Sequence, residues 1–240
     1  MKKELFWVFI PARSGSKSIK NKNIKLLNGK PILAYSIIVA KKLKFVSKIV
    51  VSSDSKNYLK IAKKYGSNFL HLRSKKLSGD KTTDFEVFSN FINHLKKLKI
   101  KPPKYFIHLR PTTPLRDFRV IDNAIELIKN RKDSTSLRSA HEAPETPFKW
   151  FKKKGDNFKG IFNDDTNLPK EAFDKVYIPN GYVDIVKATY VMNNPEIHGD
   201  SMIGFVSPVC SEVDSIEEFD YIQYQINRDG TELQNYLNSF

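Results

Sequence analysis

From Leu5 to Ser139 the chain alternates short apolar runs with longer amphipathic stretches, and few folds accommodate that alternation. Leu5 to Ile10 has the length and character of a buried strand. Pro31 to Leu43 reads as a helix, with Pro31 in its first turn and Ile32, Leu33, Ile37, Ile38 and Leu43 along one face. Lys48 to Ser53 is a β-branched run that ends in the capping signal Ser52-Ser53-Asp54-Ser55, and the helix Asn57 to Tyr65 stops at Gly66. Phe69 to Leu72 is a short strand. Thr82 to Leu98 is a long helix that turns Phe85, Phe88, Phe91, Ile92 and Leu95 inward. Tyr105 to Leu109, Arg119 to Lys129 and Ser134 to Ser139 continue the series as strand, helix and strand. The expected outcome is an α/β fold with a mostly parallel sheet covered by helices on both faces.

The rhythm breaks over residues 142–175, where Pro144, Pro147 and Pro169 interrupt a segment carrying Phe148, Trp150, Phe151, Phe158, Phe162 and Phe173. Aromatic residues on irregular backbone form a satellite core, a substrate wall or a subunit contact. Regular patterning resumes with Val176 to Val186, Ile203 to Val206 and a closing helix from Ser215 to Asn227, and Thr231 to Leu237 extends it by another helical turn. No internal repeat or low-complexity linker divides the 240 residues, so residues 1–240 read as one domain with an insertion.

The 41 Lys+Arg against 26 Asp+Glu give a formal charge of +15, which favours anionic partners. Pairs such as Lys41-Lys42, Lys63-Lys64 and Lys96-Lys97 lie in helical stretches and read as solvated surface. A nucleic-acid-binding protein would show a basic face with interleaved aromatics. Here the aromatics fall on inward helix faces or in the insertion, so no nucleic acid partner is expected. The single cysteine, Cys210, rules out an intrachain disulfide and a cysteine-based zinc site, and it reads as a buried thiol. No apolar stretch approaches membrane-spanning length and the amino-terminal run is too short for a signal peptide, so a soluble protein of the reducing cytoplasm, without a membrane partner, is expected.

The chemistry gathers after the strands. Between Ile10 and Asn23 the chain keeps Ile19 as its only large apolar residue inside the stretch and offers Gly15, Ser14, Ser16, Ser18, Arg13, Lys17, Lys20 and Lys22. Small residues let backbone N–H groups turn toward an anion and the cations neutralise it, which suits a polyphosphate; a solvated basic loop is the other reading. The spacing is not that of a P-loop or a dinucleotide fingerprint. Arg110-Pro-Thr-Thr-Pro-Leu-Arg116 follows a strand with two guanidiniums suited to carboxylate or phosphate, or forms a structural turn. Glu212 and Asp214 alternate on extended backbone, face the same way, and together suit Mg2+; a cap for the next helix is the alternative role for Asp214. The five histidines show no metal-ligand spacing, and Gly-x-Ser-x-Gly is absent.

Ile10-Pro-Ala-Arg-Ser-Gly-Ser-Lys17 with Lys22-Asn23 resembles the opening motif of the acylneuraminate cytidylyltransferases, the CMP-sialic acid synthetases. The likeness extends in order through Ser52-Ser-Asp54, Arg73, Leu77-Ser-Gly-Asp80, Thr83, Arg110 to Arg116, Asn180-Gly181 and Glu212-Val-Asp214, and is nearest to the bacterial branch that handles legionaminic and related nonulosonic acids. The resemblance implies a Rossmann-like sheet of the nucleotide-diphospho-sugar transferase type and a homodimer whose inserted segment, about 142–175, also walls the sugar pocket. It implies CTP, Mg2+ (or Mn2+) and an acidic nine-carbon keto sugar as ligands. It places CTP at Ala12, Arg13, Ser14, Gly15, Lys17, Lys22, Asn23, Arg73, Thr82 and Thr83, and the metal at Glu212 and Asp214. It places the sugar at Arg110, Thr112, Thr113, Lys170, Asn180 and Asp184, with Arg110 expected on the sugar carboxylate. Lys22, Arg13 and Asp214 are the expected catalytic groups. Departures from the family pattern are Glu212 for Asp, Arg110 for glutamine, Lys170-Glu171 for Arg-Gln and Asp184 for tyrosine; all but the first fall in the sugar pocket. CMP-Kdo synthetase is the alternative within the same chemistry.

Overall fold

The computed structural model describes residues 5–162 and 166–230. The expected turn at Thr231 to Leu237 lies outside the described residues. In chain order the elements are β1 (Phe6–Pro11), β2 (Leu26–Leu27), β3 (Lys30–Pro31), α1 (Ile32–Lys42), β4 (Val46–Ser53), α2 (Lys56–Tyr65), β5 (Phe69–Leu72), α3 (Asp84–Lys97), β6 (Tyr105–His108) and α4 (Phe118–Asn130). They continue as β7 (Ser136–Glu142), β8 (Phe151–Lys154), β9 (Asn157–Gly160), β10 (Tyr177–Lys187), α5 (Ala188–Asn193), β11 (Met202–Val206) and α6 (Ile216–Asp229). Seven strands form one sheet in the order β11-β7-β10-β6-β1-β4-β5. Every pairing in it is parallel except the two made by β10.

The parallel centre explains the continuous apolar strands. Along β1, Val8 and Ile10 pack on one face with Leu33, Ile37, Ile121 and Ile125 from α1 and α4. Trp7 and Phe9 pack on the other with Phe88, Phe91 and Phe106, and Phe9 lies 4.5 Å from Phe88 between ring centroids. Both faces are therefore buried, and sheet strands covered on both sides need not alternate polar residues. The helix ends follow local chemistry. Ser55 accepts from the Tyr58 amide, Thr83 and Glu86 form a capping box on α3, and Ser215 and Glu218 form one on α6. The α6 cap is thus Ser215 and not Asp214.

Reversal of β10 pairs its last four residues with β6 and sets Asp184 opposite His108, at the carboxyl end of β6. Its pairing with β7 shifts register between Pro179 and Asp184, where Gly181 has φ +62°. Arg116 locks this bend. It is buried, and donates to the carbonyls of Arg110, Thr113, Gly181 and Tyr182 and to the Ser36 hydroxyl. Within the insertion, Phe148 stacks on Phe173 at 5.5 Å and meets Phe162 at 5.2 Å, a small satellite core. The β8–β9 hairpin leaves Phe151 and Phe158 exposed beside Trp150.

Two histidines tie stability to pH. Burial pushes both His71 and His108 down to about 4, from an ordinary 6.5. Between those values the unfolded chain binds protons that the folded chain refuses, so stability is complete above about pH 6.5 and falls as pH drops toward 4. Each histidine accounts for a loss on the order of 3 kcal/mol at most. Denaturant titrations at pH 7.5, 6, 5 and 4.5 are expected to show a monotonic fall in unfolding free energy; a flat profile would contradict the neutral, buried assignment.

Candidate active site

The carboxyl ends of β1, β5 and β6 open onto a cavity of about 290 Å³. Its wall includes Arg13, Ser16, Lys22 and Asn23 from the loop after β1, Arg73, Ser78, Gly79, Asp80 and Thr82 from the segment between β5 and α3, and Asp84 at the start of α3. Arg110, Pro111, Thr112 and Asp214 complete it. Four segments far apart in sequence thus meet where ligands bind in open α/β sheets.

The loop after β1 is held by carboxylates. The Ser14 amide and hydroxyl donate to Asp54 at 2.9 and 2.7 Å. Burial opposes the charge on Asp54, but these hydrogen bonds outweigh it and hold the carboxyl below its usual range. Asp80 accepts from Arg13 at 2.8 Å and Lys17 at 2.6 Å; hydrogen bonds from Lys17 and then Arg13 lower its carboxyl. Lys22 is the most enclosed cation of the loop, its side chain 12 % exposed against 84 % for Lys17. Its ammonium donates to the Val213 carbonyl at 2.7 Å and to Asp214 at 2.9 Å. The basic loop and the acidic segment 191 residues later are therefore in direct contact. Asn23 donates to the Arg13 carbonyl, and its buried Oδ1 has no partner.

Arg73 donates through Nε to Ser78 at 2.9 Å, while its buried Nη1 is without a partner at the cavity wall. Burial lowers its pKa. A buried donor left unpaired is costly, and it marks a place where an acceptor belongs.

Eight expected ligand residues line the cavity: Arg13, Lys22, Asn23, Arg73, Thr82, Arg110, Thr112 and Asp214. The others stand behind or beside it. Ala12 is buried and its amide donates to the Ser52 carbonyl. Ser14 is engaged by Asp54, Gly15 is exposed, and Lys17 bridges to Asp80. Thr83 spends its hydroxyl on the α3 cap. Thr113 is buried with its hydroxyl unpartnered. Asn180 is satisfied internally: Oδ1 accepts from Ser139 and the Tyr182 amide, and Nδ2 donates to Ser207 and the Pro208 carbonyl. That network holds the β10 bend, a structural role. Lys170 donates to the carbonyls of Ala143 and Pro144, pinning the entry to the insertion.

Residue 213 is anchored between the members of the acidic pair, whose carboxylates meet different neighbours. The Val213 amide donates to the Thr112 carbonyl at 2.7 Å and its side chain is fully buried. Asp214 turns to Lys22, while Glu212 reaches Gly181 so closely that a Cβ there would collide with its carboxylate. Burial, then the charge of Asp214, raises Glu212. Asp214 keeps one oxygen free of Lys22 and is the member lining the cavity. A lone carboxylate of this kind fits Mg2+, which takes one or two protein carboxylates and completes its shell with phosphates and water. Among the described residues no group of three or more His, Cys, Asp or Glu gathers to hold a metal unaided.

Arg110 is the largest surprise. Its Nη1 donates to Asp184 and its Nη2 to Asp84, both at 2.8 Å. Burial opposes its charge, but Asp184 and Asp84 raise its pKa above the ordinary value. The expected single role on a sugar carboxylate is therefore complicated by two internal carboxylates. Asp80 was legible within the Leu77-Ser-Gly-Asp80 match, and Asp84 only as a residue of a helix first turn.

Among the described residues no helix is long and apolar enough to cross a membrane. An N-acylneuraminate cytidylyltransferase of Escherichia coli is 29 % identical over 93 % of this chain and 53 % of its own length. A Helicobacter pylori protein named as pseudaminic acid cytidylyltransferase and UDP-2,4-diacetamido-2,4,6-trideoxy-beta-L-altropyranose hydrolase is 31 % identical over 87 % of this chain. The match spans 39 % of that relative. The post-translational flagellin modification protein B of Campylobacter coli is 28 % identical over 95 % of this chain and 97 % of that one. The chain therefore spans about half or less of the first two relatives. In fold it matches a CMP:2-keto-3-deoxy-manno-octonic acid synthetase complexed with CTP, with TM-score 0.71 and 14 % identity over 93 % of this chain and 99 % of that one. A family model described as Cytidylyltransferase matches residues 7–159, the stretch that holds the basic loop, Arg73 and Arg110, and the chain belongs to that family.

Proposed function

We propose that this chain joins CTP to a nine-carbon 2-keto acid sugar, a sialic, legionaminic or pseudaminic type acid, releasing pyrophosphate. The observation that carries the reading is the Lys22–Asp214 contact, which sets the basic loop and an acidic side chain on one cavity wall. The names of the relatives support the class of sugar.

The reaction is attack of the sugar's anomeric hydroxyl on the α-phosphorus, with pyrophosphate leaving. Such transfer depends on positioning and charge neutralisation more than on covalent catalysis. Arg13 and Lys17 neutralise the outer phosphates, and Lys22 stabilises charge building at the α-phosphate. Arg73 offers its free Nη1 to an acceptor on the nucleoside, and the unpartnered Asn23 Oδ1 takes a donor. Asp214 would hold Mg2+, with Glu212 behind it. The ion when bound makes the hydroxyl more acidic and offsets phosphate charge. The exposed aromatics Trp150, Phe151 and Phe158 form the contact of a homodimer, and a CTP-consuming enzyme of this kind works in the cytoplasm.

Incubation with CTP, Mg2+ and a panel of N-acetylneuraminic, N,N′-diacetyllegionaminic, pseudaminic and 2-keto-3-deoxy-octonic acids tests this, read by mass spectrometry. A CMP conjugate of at least one nine-carbon acid is the expected product. Turnover of the eight-carbon acid alone, or of none, rejects the reading.

A further inference from the structure

The inference starts from the charge around Arg110. The two carboxylates that hold its guanidinium come from different elements, Asp84 at the start of α3 and Asp184 within β10. His108 lies beneath them, fully buried, 4.0 Å from an oxygen of each, with both ring nitrogens unpartnered. It is neutral, since burial holds it near 4, and adds no positive charge. Two carboxylates against one guanidinium leave an excess negative charge. Arg138, with Nε 3.9 Å from Asp184 Oδ1 and a side chain 39 % exposed to solvent, and Arg73, which lines the same cavity and interacts with Asp84, offset it from outside the three. Asp184 is 1 % exposed, whereas Arg110 and Asp84, at 25 % and 37 %, both line the cavity.

A free guanidinium fork is a bidentate carboxylate receptor. This one has each Nη already bonded to a carboxylate, and an incoming carboxylate would also face Asp84. We infer that Asp84, Arg110 and Asp184 act as one unit that selects the acceptor sugar through its neutral donors, hydroxyl or amide N–H groups received by Asp84, and not through its carboxylate. Asp184 is a positioning residue: it fixes Arg110, and Arg110 fixes Asp84. This deepens the proposed CTP-and-sugar reading and rests on it.

The two roles for Arg110 predict opposite signs for Asp84→Asn, which keeps the shape and removes a charge. A carboxylate receptor would be freed, and the acceptor KM would fall. In the unit, a charge-assisted hydrogen bond is lost, and the acceptor KM is expected to rise about tenfold, with the CTP KM within about twofold of the parent. Asp184→Asn is expected to raise the acceptor KM likewise, with kcat less affected. Asp84 is partly exposed, so its variant decides the question even if the buried Asp184→Asn fails to fold. N-acetylneuraminic and N,N′-diacetyllegionaminic acids serve as acceptors, and calorimetric titration with CTP accompanies the kinetics. An acceptor KM that falls or stays fixed in Asp84→Asn, or a CTP KM that rises in step with it, overturns the inference alone. Failure of the unsubstituted protein to bind CTP overturns the underlying reading, and the inference with it.

Discussion

Lys22→Ala is expected to lower kcat by about 10²- to 10³-fold, the usual loss when one donor aimed at developing transition-state charge is removed. The ammonium is nearly enclosed, bonded to the Val213 carbonyl and Asp214, and sits on the cavity wall between the basic loop and the acidic segment. No second cation in the loop shares that place: Arg13 and Lys17 both face Asp80. Lys22→Arg is expected to recover little, because a planar fork does not reproduce a compact ammonium held at two points. Pyrophosphate release at saturating CTP measures the effect. A loss below about tenfold, in a protein with unchanged circular dichroism, would remove Lys22 from the chemistry.

The second large effect is on stability. Arg116→Met keeps a long side chain but takes a donor from five acceptors, four carbonyls and the Ser36 hydroxyl, drawn from α1, the turn after β6 and the β10 bend; of these the Arg110 carbonyl keeps the Thr113 amide. Burial, helped by the nearby charge of Arg110, pushes the Arg116 guanidinium down to about 10, which leaves it charged at neutral pH. Its removal leaves buried carbonyls unsatisfied, at a cost of roughly 3–5 kcal/mol. For a chain of this length the melting temperature is expected to fall by roughly 10 °C. Calorimetry or denaturant unfolding tests it, and a loss under about 1 kcal/mol would show that water replaces the guanidinium at little cost.

Much of the frame could be read from the order of residues alone. The alternation of apolar runs with amphipathic ones marks the parallel sheet, and the run of Phe85, Phe88, Phe91, Ile92 and Leu95 marks the buried face of α3, on which all but Phe85 are fully covered. Hydrophobic period carries no direction, however, so the reversal of β10 was not visible in Val176 to Val186. The β2–β3 hairpin was signalled by Asn28-Gly29, both at positive φ, but its strands are only two residues long and lack an apolar pattern. Thr83 illustrates a signal that points two ways. Thr-x-x-Glu before an apolar run is a capping box, and that use takes its hydroxyl. Two parts of the cavity, the Arg13 loop and Arg110 to Thr112, were legible as polar strand ends, because loops at strand ends carry ligands; Ser52-Ser53-Asp54 does not line it, and Arg73 with Leu77-Ser-Gly-Asp80 was carried by the resemblance alone. The partners of Arg110 were not, since ion pairs between a helix start and a reversed strand depend on tertiary placement.

The pairing of Lys22 with Asp214 couples two loading events. The ammonium spends two of its three protons on Val213 and Asp214, so a phosphate that takes the third comes close to the carboxylate and is repelled by it. On the proposed function, a divalent ion held at Asp214 would relieve that repulsion. Triphosphate and metal should therefore strengthen each other's hold, each by the same factor, as thermodynamic reciprocity demands.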